Sequence, residues 1–274
     1  MGFVNSVFGA IADVFFAPFR PFGPWAGMIA VSLAVGILML AIFKKTSNQA
    51  GIKRAKNAIK AHLLEIRLYK SDLGQSFRSQ GAILGANFRY MGHALRPMLV
   101  MLIPVLFILA QINLRYGADA LPVGGRALVK MTMTEGTSVL GTPITLSAPA
   151  GIVVETPPLR IEDEREVSWR IRGATAGVHR LSFDVGGTTV EKIAVVAQAA
   201  PAKIPALRSR KFFDLVLTPG EDPLPKNLPV KTIAIVYPAA RLAVFGLRVH
   251  WLVAFFSLSI LFGFALKGVF KVEI

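Results

Sequence analysis

The chain has 274 residues, 53% of them hydrophobic, a mean hydropathy of +0.54 and a formal net charge of +15. That apolar content exceeds what one soluble core needs and points to several membrane spans, in which a cationic excess is first a topology signal. Cysteine is absent, which excludes a disulfide framework, thiol catalysis and a cysteine-ligated metal site.

The opening segment, MGFVNSVFGAIADVFFAPFRPFGPW, lacks the basic start of a signal peptide, and Asp13 and Arg20 interrupt its apolar run. MGFVNS fits the myristoylation pattern formally and reads as a chance match. Val4, Val7, Phe8, Ile11, Val14 and Phe15 fall along one helical stripe, so residues 1–24 are expected to hold an amphipathic helix on the outer membrane surface. The first span is expected over 25–43, Trp25 to Phe43, without a charged residue.

Residues 44–93 read as a basic cytoplasmic helical hairpin. The loop from Lys44 to Arg96 carries a net charge of +9, which assigns it to the cytoplasm by the positive-inside rule. In the first arm Ile52, Ala55, Ile59, Leu63 and Ile66 form an apolar seam. In the second arm Phe77, Gly81, Leu84, Phe88, Met91 and Leu95 keep 4-3 steps. The two seams are expected to pack against each other, with the turn at SDLG, Ser71 to Gly74. Lys53, Lys56, Lys60 and Arg67 share one face of the first arm. They are the candidates for docking anionic lipid, a ribosome or a nascent chain; the bland alternative is that they only fix topology. No nucleic-acid-binding fold signature accompanies them, so DNA is not an expected partner.

A second span is expected over 94–114, with Pro104 in its middle, and a third over 246–268 around Val249 to Leu266. A short cytoplasmic tail, 269–274, follows. Between them, 115–245 is expected outside as a β-sandwich of immunoglobulin-like type with a proline-rich excursion over 199–230. Val167, Trp169 and Ile171 alternate, as do Leu181, Phe183 and Val185. Gly186 and Gly187 make a two-residue hairpin turn, with Val190, Ile193 and Val195 in the following strand. KTIAIVYP reads as the final strand before the third span.

Little in the chain suggests catalysis. His62, His93, His179 and His250 lie at no metal-ligand spacing, and no phosphate loop or nucleophile elbow occurs. Neither a catalytic site, a metal nor a cofactor is expected. The acidic run EDERE, Glu162 to Glu166, reads as a solvated turn. Among polar residues in the spans, Ser32, Gln111 and Asn113 are the candidates for lining a groove; Ser257 and Ser259 read as helix glue.

The order of parts up to about residue 116 resembles the YidC/Oxa/Alb membrane-insertase superfamily, in particular its three-span branch that includes the insertase-like subunit of the ER membrane protein complex. The features are PWAGMIAVSLAVGILM entering the first span, the basic hairpin, and the proline-bearing RPMLVMLIPVLFILAQINLR. The resemblance implies an insertase or membrane chaperone that eases polar client segments through a hydrophilic groove in a thinned bilayer. The expected setting is a bacterial-type inner membrane, and the positive-inside rule puts the amino terminus outside and the carboxyl terminus in the cytoplasm. Two features depart from the family. No arginine occurs between Ala26 and Phe43, where bacterial members carry one, and about 130 residues fill a normally short outer loop. The alternative is a membrane scaffold whose outer domain binds an envelope partner.

Overall fold

The computed structural model describes residues 2–69, 73–198, 201–244 and 246–272; Ser71 and Asp72 of the SDLG turn lie outside the described residues. The chain forms two compact units: Met1–Gly27 with Leu106–Ala254, and Met28–Val105 with Phe255–Ile274. Among the described residues, three helices are long and apolar enough to cross a membrane.

Helix α1, Gly2–Phe16, runs into a 3-10 turn, Ala17–Phe22. Helix α2, Pro24–Thr46, starts on a proline, whose missing N–H costs nothing at a first helical position, and ends on Lys44 and Lys45. Helix α3, Gln49–Leu68, is capped by Asn48, whose side chain accepts from the Gly51 N–H at 2.9 Å. Helix α4, Leu73–Tyr116, is continuous for 44 residues and contains Pro97 and Pro104. At 1.5 Å per residue it is about 65 Å long, roughly twice the hydrocarbon thickness. One helix therefore holds both the second hairpin arm and the second span. The last long helix, α6, is Trp251–Phe270.

In the second unit α2 and α6 meet through small residues. Ser32 and Gly36 on α2 repeat at four residues, as do Ser259 and Gly263 on α6. A β-carbon on Gly36 would stand 3.4 Å from the Ser259 carbonyl oxygen and 3.5 Å from the Gly263 nitrogen, so the two helices approach within about one methyl group there. In lipid, where apolar burial gives no drive for helices to associate, such close approach supplies the packing.

The hairpin is antiparallel, but not by the expected seam. The Ser79 hydroxyl donates to Glu65 at 2.9 Å, and the His93 ring lies where a β-carbon on Gly51 would stand. Ile52, Ala55, Ser79 and Ala86 are buried, whereas Phe77, Leu84, Phe88, Met91 and Leu95 are all exposed, as is Gly81. On α3, Leu63 is exposed as well. The arms pack through small and polar side chains on the opposite face of α4, because alanine, glycine and serine let the helices come closer than phenylalanine and leucine would.

Among the described residues of the first unit, eleven strands form three antiparallel sheets. The largest comprises β1 (Arg126–Met133), β3 (Ile152–Val154), β4 (Leu159–Ile161), β5 (Glu166–Gly173), β8 (Leu207–Ser209) and β9 (Val230–Ile235), in the order β3-β5-β1-β9-β8 with β4 also on β5. The second comprises β2 (Ile144–Ser147), β6 (Gly177–Val185) and β7 (Thr188–Val196), in the order β2-β6-β7. Both sheets contribute to one core, in which Trp169 of β5 stands edge-on to Phe183 of β6 at 5.5 Å. The β6–β7 turn is the expected two-residue one: Val185 pairs with Thr188, and Gly186 and Gly187 both have positive φ.

Two expectations need correction. On β7, which holds Val190, Ile193 and Val195 as expected, Lys192 shares the core-side parity of Val190 and Ala194, while Val195, of the opposite parity, is fully buried too. The proline-rich excursion is part of the domain: it supplies β8, the short helix α5 (Phe212–Leu217) and core residues Leu224 and Leu228. KTIAIVYP is not the last strand, since the hairpin of β10 (Leu242–Val244) and β11 (Leu247–Val249) intervenes before α6. The EDERE run forms the turn between β4 and β5, with Glu166 already in β5 and bonded to Ser168 and Lys130.

Candidate functional site

The second unit contains an apolar cleft of about 460 Å³ between α2, α4 and α6. Met39, Met98, Met101, Phe255, Phe256 and Phe264 are among its lining residues, and Ser259 is its one polar side chain. Among the described residues, the Ser259 hydroxyl is the buried side-chain polar atom left without a hydrogen-bond partner. A helical serine ordinarily donates to the carbonyl four residues back. Here that carbonyl, Phe255 O, instead receives the Ser32 hydroxyl at 3.5 Å. Ser32 is therefore fully buried helix-to-helix glue and is not among the residues lining this cleft. Methionine is flexible and polarisable, so a methionine-lined cleft adapts to differently shaped apolar occupants.

The other two expected groove residues lie in the first unit. Gln111 is buried, and its side-chain oxygen accepts from Arg115 at 2.9 Å. Asn113 is half-buried, and its carbonyl accepts from the Gly117 N–H at 2.8 Å. The structure thus does not group Ser32 with Gln111 and Asn113 in one compact unit.

Gln111 borders a different cavity, of about 510 Å³ and rich in charge. Asp13 of α1 binds Arg115 of α4 at 2.6 Å and also pairs with Lys203. Burial raises the Asp13 carboxyl, and hydrogen bonds and charge from Lys203 and Arg115 outweigh it, so its pKa lies below the ordinary value. On the same unit α1 stacks Phe8 on Phe107 at 4.8 Å, while Val7, Ile11 and Val14 remain exposed. Trp25 donates from its indole nitrogen to Ala243 O at 2.8 Å, and the Tyr116 hydroxyl bonds Pro24 O at 3.1 Å.

Deeper in this cavity wall, Lys192 is fully buried and bonded to Glu221 and to the Pro205 carbonyl. Burial holds its ammonium below the usual lysine range, with Glu221 opposing. Glu221 also accepts the Ile193 N–H at 2.7 Å, and the Tyr237 hydroxyl accepts the Val195 N–H at 2.9 Å. Leu121 adds two backbone bonds to the same strand. These contacts cap the outer edge of β7, whose free N–H groups would otherwise invite another strand. The network closes on itself; it offers structure rather than a nucleophile or proton donor.

Of the docking candidates, Lys53, Lys60 and Arg67 are exposed and Lys56 is half-buried. Sequence reasoning missed Lys192, Glu221 and the role of Asp13. Strand parity alone would have placed Lys192 inward, and a lone acid in an apolar membrane-surface helix calls for a cationic partner.

No family model matches the chain, and no curated protein matches it. Among solved structures it is similar to domains 4 and 5 of the S-layer protein SbsC, at 12% identity and a TM-score of 0.23, over 30% of this chain. The match spans about half of that structure's length, 48%. A likeness this slight carries no argument.

Proposed function

We propose that the protein is a membrane chaperone or insertase of the YidC/Oxa type, set in a bacterial-type inner membrane. The β-domain, read as immunoglobulin-like, lies outside and the hairpin lies in the cytoplasm. The observation that carries this reading is the methionine-lined cleft among the three spans, with an unpaired serine hydroxyl on its wall. Such a cleft suits transient apolar occupants, here the membrane segments of client proteins, and the Ser259 hydroxyl offers a hydrogen bond to a polar residue carried within them. The cationic face of α3 supplies the cytoplasmic attraction for a ribosome, a nascent chain or anionic lipid.

A second reading, a scaffold that binds an envelope protein through its β-domain, is favoured by one specific feature. Apart from Ser259 the cleft is apolar, and no polar path past Ser32 lines it. Site-specific photo-crosslinking to nascent chains in native membranes separates the two. The insertase reading expects crosslinks from Met101 and Ser259 to client segments. It also expects weaker, salt-dependent ribosome or client association when Lys53, Lys56, Lys60 and Arg67 are replaced by glutamine, which keeps helix propensity. Absence of client crosslinks, with recovery of an envelope protein on the β-domain alone, establishes the scaffold instead.

A further inference from the structure

The row Phe77, Leu84, Phe88, Met91 and Leu95 on α4 is 51–72% exposed along its length. Its steps of seven, four, three and four give the narrow 3.5-residue repeat of a coiled-coil seam. The opposite face of α4 is already taken by α3, through Ser79, Ala86 and His93. The row therefore has no partner among the described residues of this chain.

Three observations decide what covers it. Arg78, Arg89 and Arg96 are exposed and fall in one line about 100° around the helix from the seam. No acidic residue occurs anywhere in α4. Two copies of this arm would therefore bring arginine rows together, which disfavours self-pairing. Finally, α4 continues as one helix into a stretch apolar enough to cross a membrane, so the row and that stretch share one helix.

We infer that this row is a docking face for an amphipathic helix of a partner protein whose apolar residues repeat in 4-3 steps and whose flanks are acidic. The apolar seam supplies affinity and the arginine row sets partner choice and orientation, as flanking charges do in coiled coils. The inference holds whether the protein is an insertase or a scaffold.

The test uses the full chain in neutral-lipid nanodiscs with a photo-crosslinking residue at Leu84. The probes are two labelled synthetic heptad peptides with the same leucine seam, one flanked by glutamate and one by lysine. The glutamate peptide is expected to bind, to crosslink at position 84 and to weaken with added salt. Phe88→Gln should lower its affinity about tenfold or more. Because Phe88 is exposed, helix content by circular dichroism should stay unchanged. Replacing Arg78, Arg89 and Arg96 with glutamine should erase the preference for the glutamate peptide. Equal affinity for both peptides, no binding, crosslinks only between copies of the protein, or protection of position 84 only by anionic vesicles would each overturn the inference.

Discussion

A single buried lysine shows how much one side chain sets in this protein. Lys192 is inside because strand parity places it with Val190 and Ala194, and Glu221 reaches it from the proline-rich segment 29 residues on. Removing one member of a buried pair leaves the other uncompensated, so Glu221→Ala should destabilise the β-domain by about 3–5 kcal/mol. The double change Lys192→Met with Glu221→Gln should recover most of that loss, measured by denaturant unfolding of the full chain. If the single and double variants unfold alike, the pair is not coupled. Asp13 gives a pH signature. Its folded pKa lies below the 3.8 of the free side chain, so its contribution is complete above that value and is lost as acid takes the pH down through the lower folded one. Attachment of α1, followed by limited proteolysis, should be flat near neutrality and fail only below about pH 4; Asp13→Asn should weaken it near neutrality and change little once acid has neutralised Asp13. Trp169, Phe183 and the two turn glycines were legible in the sequence because alternation and a glycine pair are local signals. Lys192–Glu221 and Asp13–Lys203 were not, because nothing local marks a partner tens to hundreds of residues away.

At the scale of elements, pattern and partner come apart. The 4-3 repeat of α4 shows that one face is apolar, but not what lies against it, and the structure turns that face outward while α3 packs on alanine and serine. Leu84→Asp should therefore leave the hairpin intact, whereas Ala86→Asp should open it by burying a charge between the arms. Spin labels at Ala61 and Ile83 report this: the distance distribution should stay narrow for the first variant and broaden for the second. The α2–α6 contact depends on small residues in the same way. Gly36→Leu would push a side chain into the α6 backbone and should cost about 1–3 kcal/mol of helix association. Gly36→Ala meets ordinary contact distances and should be far milder. The three spans were visible from composition, since an uncharged apolar run needs no knowledge of its neighbours. The extra hairpin β10–β11 was not, because three-residue strands carry too little pattern to read.

For the whole molecule, the charge of the first loop and three spans predict opposite sides for the hairpin and the β-domain. A reporter fused at Gly74 should behave as cytoplasmic and one at Gly187 as external; the reverse result would overturn the assignment of both. The clasps on the amino-terminal segment also impose an order on biosynthesis. Asp13 meets Arg115 and Lys203 from 102 and 190 residues away, and Trp25 meets Ala243 from 218. At roughly 5–20 residues per second, translation needs about 10–40 s to travel from Asp13 to its second partner. This segment is therefore made long before it can be secured, and for that interval Asp13 waits without its cations. Ribosome-bound chains stalled before Lys203 should show α1 open to protease, and chains released after Ala243 should show it closed.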